Sequence, residues 1–302
     1  MRNILVSLLG WIFFSQLVFA EEPVSEKKPG EEEDEGPELA STADVNKAIS
    51  DQVDLLDSFH EASLLYQLST LSNVDGTNSG GVHLFQVRGS VAVWPRLHLG
   101  LALPLIFGGG GPAGDTATIG NWRIEASSRI YSNLAREFPH FIYVNGYIQF
   151  PRRGDHPLIV NRTDLAFFAS ARKMFYQMLF ESDLGVIFRL DGGGSSARYG
   201  NLLQAGISAN YHFEIVHVYL GTGLLWRFVT GMEEQGIKYS SEAVMTIQPL
   251  LRWEPWGGVF IDGKVAFPLR SGSLGEVAKV FGDYQDAGLW STSYQLNFQY
   301  QF

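Results

Sequence analysis

Charged residues in this 302-residue chain recur in pairs two positions apart: Arg123 and Glu125, Arg162 and Asp164, Glu181 and Asp183, Arg252 and Glu254, Asp262 and Lys264. In an extended strand that spacing puts both members on one face. Charges arrayed on such a face can pair across neighbouring strands, or can line a passage and select solutes. The same period adds Arg88, Arg129, Arg172, Arg189, Arg227, Arg270 and Glu242 to the set. Ten cations then stand against seven acids, an excess that suits anions. A salt-bridge network that stiffens a wall is the equally weighted reading. Tyr143, Tyr147, Phe168 and Tyr219 share the face and could stack a small solute or fill space.

Other chemistry has weaker footing. His98, His212 and His217 fall on the polar face and could share a metal, but polar lining is the simpler account and no metal is assigned. An outer-membrane phospholipase needs a serine beside a histidine on the lipid-facing wall; Ser128 and Ser182 have no histidine nearby on that face. A rim protease would need loop acids and a histidine, and Asp155, His156, Asp283 and Asp286 are the candidates. The glycine runs 108–111 and 192–194 lie between strands rather than before a helix, so they do not form a phosphate loop. No enzyme and no cofactor is expected. The chain has no cysteine, which removes disulfides, thiolate metal sites and a lipid anchor.

Residues 1–20 read as a secretory leader: Arg2, an apolar core from Ile4 to Phe14, and small residues Val18 and Ala20 before a cut at Glu21. An uncleaved anchor is the alternative, but the apolar run falls short of the ~20 residues that a spanning helix needs. Residues 21–40 hold nine acids against two lysines, with three prolines and no aromatic, and are expected to be a disordered acidic tether. They carry most of the net charge of −10, which with the near-neutral remainder argues against a nucleic-acid partner. Residues 41–60 could form a short helix, with Val45, Ile49, Val53 and Leu56 on one face.

From there to Phe302 the period is two. Twelve segments carry it: 63–73, 82–94, 97–107, 119–132, 140–150, 162–172, 175–190, 201–212, 215–230, 242–253, 258–270 and 288–302. Short connections at 95–96, 133–139, 173–174, 213–214 and 254–257 alternate with long Gly-rich or charged loops. Trp94, Trp253 and Trp256 mark the short-turn ends, and Trp122, Trp226 and Trp290 the long-loop ends. An even number of long strands, lopsided loops and two aromatic belts imply an all-β fold: a transmembrane antiparallel up-and-down β-barrel over 61–302. A soluble sandwich would bury the apolar row instead, but its strands are usually ~5–6 residues long. Pro104, Pro249 and Pro268 should produce bulges or weak pairing.

The last segment, Trp290 to Phe302, alternates aromatic and polar residues and ends on Phe. It resembles the C-terminal signal of outer-membrane proteins, which implies outer-membrane lipid and the barrel-assembly machinery as partners. The stretches GNWRIEASSRIYS and FIYVNGYIQFPRRGD resemble the outer-membrane transporters of the phenol meta-pathway group; that resemblance implies uptake of small, hydrophobic molecules. The expectation is a channel for small solutes in the outer membrane of a Gram-negative-type bacterium, termini periplasmic. The second reading is a structural or surface-interaction barrel with a closed lumen. An inward fold of the loop at 271–287 would favour the latter.

Overall fold

Lipid offers backbone groups no hydrogen-bond partner, so a chain that crosses it with strands must pair every strand on both edges. The computed structural model does so. It describes residues 60–302 apart from 73–78, 95, 111–112, 134–139, 153–155, 157, 191–196, 235 and 270–283. The leader, the acidic segment and nearly all of the helical segment therefore lie outside the described residues.

Twelve antiparallel strands form a closed ring: β1 (Glu61–Ser72), β2 (Ser79–Trp94), β3 (Leu97–Gly109), β4 (Trp122–Asn133), β5 (His140–Phe150) and β6 (Thr163–Phe175), then β7 (Met178–Leu190), β8 (Leu202–Phe213), β9 (Val218–Val229), β10 (Glu242–Trp256), β11 (Val259–Pro268) and β12 (Ser293–Gln301). The ring closes where β1 pairs with β12, from Glu61 opposite Gln301 to Ser69 opposite Ser293. Beyond that ladder, His60 and Phe302 exchange both backbone hydrogen bonds at 2.9 Å. The described residues contain no α-helix, only short 3-10 turns at Glu214–Val216 and Tyr284–Leu289.

Side-chain direction follows the period. In β3 Leu99, Leu101, Leu103, Leu105 and Phe107 point out and are exposed, while Ala102, Pro104 and Ile106 point in and are buried. In β12 Tyr294, Leu296, Phe298, Tyr300 and Phe302 point out, and Gln295, Asn297, Gln299 and Gln301 point in. An outward belt dominated by leucine, phenylalanine, tyrosine and other apolar residues matches hydrocarbon, and is the reverse of what a soluble sandwich presents to water.

Several local expectations are corrected. The turn between β6 and β7 sits at Tyr176–Gln177, not at Lys173–Met174, and the β8–β9 connection runs through Glu214–His217. In the described short turns one residue takes the left-handed conformation: Arg96 (φ 73°), Tyr176 (φ 51°), His217 (φ 51°) and Gly258 (φ 80°). Three of these are not glycine, so the usual turn residues did not mark the reversals. Bulges fall between Ala92 and Trp94, Arg129 and Tyr131, and Trp253 and Trp256, not at the prolines. Pro104 sits where β3 changes partner, its carbonyl accepting from Gly120 N–H at 2.8 Å, so no ladder there needs its missing donor. At Pro249 the β10–β11 ladder does skip, between Ile247–Phe267 and Leu250–Lys264. Trp290 leaves the outer belt altogether: β12 starts at Ser293, and the indole is buried inside.

At the long-loop end, Met232–Glu234, Ile237–Tyr239 and Ala197–Arg198 form a separate three-stranded sheet joining two loops.

The outward belt makes a depth-dependent prediction. Leu101→Arg, midway along β3, should lower folding stability in lipid vesicles by about 2–4 kcal/mol, whereas Val93→Arg near the short-turn rim should cost about 0–1 kcal/mol. Reversible denaturant unfolding measures both; equal costs would mean that the belt does not face hydrocarbon.

Candidate functional site

The ring turns its inward rows into a lumen with two unlike halves. Toward the long-loop end the interior is packed solid. Leu71, Val82, Ile106, Ile187, Leu202 and Val244 point in from the wall. Ala113, Leu158, Ile159, Ala287 and Trp290 enter from the loops and complete one buried apolar cluster with them.

The inward fold of the 284–290 segment has a specific seat. Asn121, fully buried at the start of β4, donates its N–H to Gln285 Oε1 (2.8 Å) and accepts from Gln285 Nε2 at its carbonyl (3.2 Å). Its side chain holds a second loop, donating from Nδ2 to Val160 O (2.9 Å) and accepting Arg152 N–H at Oδ1 (3.1 Å). Arg152 also donates to Thr118 Oγ1. Arg227 Nη1 donates to Leu289 O at 3.1 Å, and Ser291 Oγ to Ala287 O at 2.7 Å. Gly120 and Gly288 lie so close to Gln285 and Gln67 respectively that a Cβ at either would collide. Backbone meets side chain there with no space to spare.

Part of the expected charged set is buried in this outer layer. Arg162 Nε pairs with Asp164 Oδ1 at 3.0 Å, both essentially out of solvent. Gln149 Nε2 donates to Asp164 Oδ2 (3.3 Å), and Arg123 Nε donates to Gln149 Oε1 (2.8 Å), extending the network toward the open lumen. Arg162 also lies over the Tyr199 ring at 5.3 Å. Arg189, Arg227 and Glu242 are buried in the same layer.

Below it, toward the short-turn end, the lumen is hollow. Two cavities of about 470 and 500 Å³ share Glu61, Arg88 and Glu125 in their walls. Of the expected residues, Arg88, Arg123, Glu125, Arg129, Arg172, Glu181, Arg252, Asp262 and Lys264 line them, as does Glu254. Arg88 meets Glu125 at 2.6 Å, Arg172 meets Glu181 at 2.8 Å, and Arg252 meets Asp262 at 2.6 Å, with Asn297 Nδ2 donating to Asp262 at 3.2 Å. The three arginine side chains stay 40–45% exposed, so these pairs are hydrated. Arg123 stacks over Tyr147 (4.8 Å) and Arg172 over Tyr143 (5.2 Å). Asp183 points inward from β7 into the space that Gly206 leaves. Arg270 lies outside the described residues.

Sequence reasoning left the inward fold of the last long loop open, and missed Glu61, Arg96 and the entry of Leu158 and Ile159 into the interior. The apolar run Leu158-Ile159-Val160 inside an otherwise charged loop was the available signal. The three histidines do not converge: His98 lines the lumen, His212 stacks on Tyr219 at 4.1 Å, and His217 sits exposed in a turn rather than pointing inward. Ser128 has Leu97 and Val144 as ladder neighbours, and Ser182 has Ala171 and Ile207, so neither faces a histidine. His156 Nδ1 accepts Leu158 N–H, and Asp155 and Asp283 lie outside the described residues.

Fold and lumen together define a twelve-stranded membrane barrel with a polar bore shut at one end. Among solved structures the chain is similar to the COG4313 outer membrane channel from Pseudomonas putida F1. The two align with a TM-score of 0.61 and 14% identity, over 81% of this chain and 96% of that one. A chain from work on the in-meso crystallization of membrane proteins aligns at a TM-score of 0.42 with 12% identity, covering 81% and 84%. No family model and no curated protein matches the sequence.

The two kinds of ion pair should respond differently to loss of one partner. Asp164→Asn leaves Arg162 buried without its carboxylate and should cost about 3–5 kcal/mol. Glu125→Gln, in the hydrated lumen, should cost at most about 1 kcal/mol. Unfolding midpoints in detergent compare them, and similar costs would contradict the division into a packed layer and a wet one.

Proposed function

We propose that this chain is an outer-membrane channel for small solutes, shut at its long-loop end by the 284–290 segment, with both termini in the periplasm. One observation carries the reading: a hydrated, charge-lined lumen reaches the short-turn mouth at Arg96, His98 and Gln301 and ends blind under the apolar plug. A barrel whose only task was structural would gain nothing from two cavities of several hundred cubic ångströms, since filled interiors are the more stable solution. The likeness in fold to an outer membrane channel supports the same reading. The loop asymmetry supports a periplasmic side for the short turns, and with them for both termini.

The plug favours one rival, a closed structural or surface-interaction barrel. The two differ in whether the plug can leave. Gln285→Ala removes both side-chain hydrogen bonds that seat the 284–290 segment on the Asn121 backbone and should increase the frequency and duration of open events in planar-bilayer recordings. Because the chain has no cysteine, Gln67→Cys with Gly288→Cys introduces the sole thiols, and a short thiol-reactive cross-linker between them should abolish opening. Heat-dependent gel mobility confirms that each variant is folded. Wild type and Gln285→Ala both folded and both silent would establish the closed barrel instead.

A further inference from the structure

The twelfth strand stops short of both its neighbours. Its ladder to β1 ends with Ser293 opposite Ser69, and its ladder to β11 ends with Ser293 opposite Ala266. Yet β1 runs on to Ser72 and β11 to Pro268. One further bond is made, from Thr70 N–H to Thr292 O at 2.9 Å, but Thr292 N–H has no partner among the described residues. A hydrogen-bonded antiparallel pair exchanges both bonds, so the ladder stops halfway through a rung.

Continuing both registers without a shift sets Thr292 opposite Thr70 and Phe267, Ser291 opposite Leu71 and Pro268, and Trp290 opposite Ser72 and Leu269. Strand parity then decides where each side chain goes. Trp290 joins the outward row of Tyr294, Leu296 and Phe298, while Ser291 stays inward. In the shut structure Trp290 is instead buried in the apolar cluster, and its Nε1–H has no hydrogen-bond partner. A buried donor left unmatched costs the full desolvation of that group. At the outer rim the same ring sets its apolar body in lipid and its N–H in interfacial water, the position for which tryptophan is suited.

We infer that β12 has two lengths, and that its growth by residues 290–292 is what withdraws the plug. Zipping these residues between β1 and β11 turns Trp290 from lumen to lipid. Ala287, Gly288 and Leu289 directly precede it in the chain and are drawn out after it. The apolar cluster, the Gln285–Asn121 bonds and the bond from Arg227 to Leu289 O hold the short form. Pro268 weakens the long one. Leu269 N–H bonds Met245 O on β10, so the alternation of the strand turns residue 268 toward β12. As proline it offers Ser291 a carbonyl but no donor, which keeps the extension reversible. This inference deepens the channel reading and rests on it only for what the movement achieves, the passage of solute.

The test uses the full chain, labelled with fluorotryptophan, refolded in detergent and read by fluorine NMR; Trp290→Phe identifies the Trp290 line. Doxyl-stearate in the micelles broadens lines from the lipid side, and a gadolinium chelate broadens them from water. In wild type the Trp290 line should be shielded from both, while the exposed Trp94 and Trp256 lines broaden with doxyl. In Gln285→Ala the Trp290 line should become as sensitive to doxyl as that of Trp94, and exchange of the Thr292 amide proton should slow. Gly288→Ala is the second variant, because its Cβ meets Gln67 in the shut position; it should shift the Trp290 line the same way. Gel mobility confirms folding of each. A conducting variant whose Trp290 line stays shielded, or is reached by the gadolinium chelate alone, would overturn the inference, since the plug then leaves into water. Folded variants that are silent, with Trp290 still shielded, would overturn both readings. Movement of Trp290 into lipid without conductance would overturn the channel reading and leave this one standing.

Discussion

Everything in this molecule follows from the closure of β1 onto β12. In hydrocarbon an open sheet edge leaves a row of unsatisfied N–H and C=O groups, each costing several kcal/mol. A closed ring has no such edge. Its constraint then propagates: all strands must be long enough to cross, must alternate with period two, and must keep register with both neighbours. That is why His60 and Phe302, at the two ends of the barrel, meet in a reciprocal pair of backbone hydrogen bonds. It is also why bulges are confined to positions near the short turns, where a lost ladder bond can be met by water.

Closure leaves the inner face with a problem of the opposite kind. Twelve strands enclose more space than their own small inward side chains fill, and the polar groups there call for water or a partner. The molecule uses both solutions in one bore. Near the short turns the charges stay wet and their pairs are individually weak. Near the long loops, water is displaced by Leu158, Ala287 and Trp290, and the charges that remain in that layer are held in a connected network from Arg123 through Gln149 and Asp164 to Arg162. A half-satisfied network at that depth would be worse than an apolar core; Trp290 Nε1 and Ser293 Oγ nonetheless have no hydrogen-bond partner among the described residues.

How much of this was legible in sequence depended on whether the information was local. Strand alternation is local, and all twelve segments, the loop asymmetry and the direction of Arg88, Glu125 or Asp262 could be read from it. Trp290 could not. It continues the aromatic alternation of β12 in sequence, yet the chain bends inward before Ser293, because Ala287 and Leu289 must reach the interior and Gly288 must pass beside Gln67. The left-handed turns at Arg96, Tyr176 and His217 were equally hidden, since the ring's registers impose those reversals on residues with no intrinsic preference for them.

On the proposed channel reading, the part of the bore that changes is the plug and not the wall. Barrel strands are locked by ladders on both edges, so any part that moves must come from a loop. Asn121 stands at the junction between the two. It begins a wall strand, and its backbone holds Gln285 while its side chain holds Val160 and Arg152. Its own four hydrogen bonds connect segments that contribute no ladder to the ring. They add cooperation between two loops without adding anything to closure. Loss of those bonds would free the loops and leave the barrel intact: the ties are few, directional and concentrated at one buried residue, backbone and side chain together, above a polar cavity.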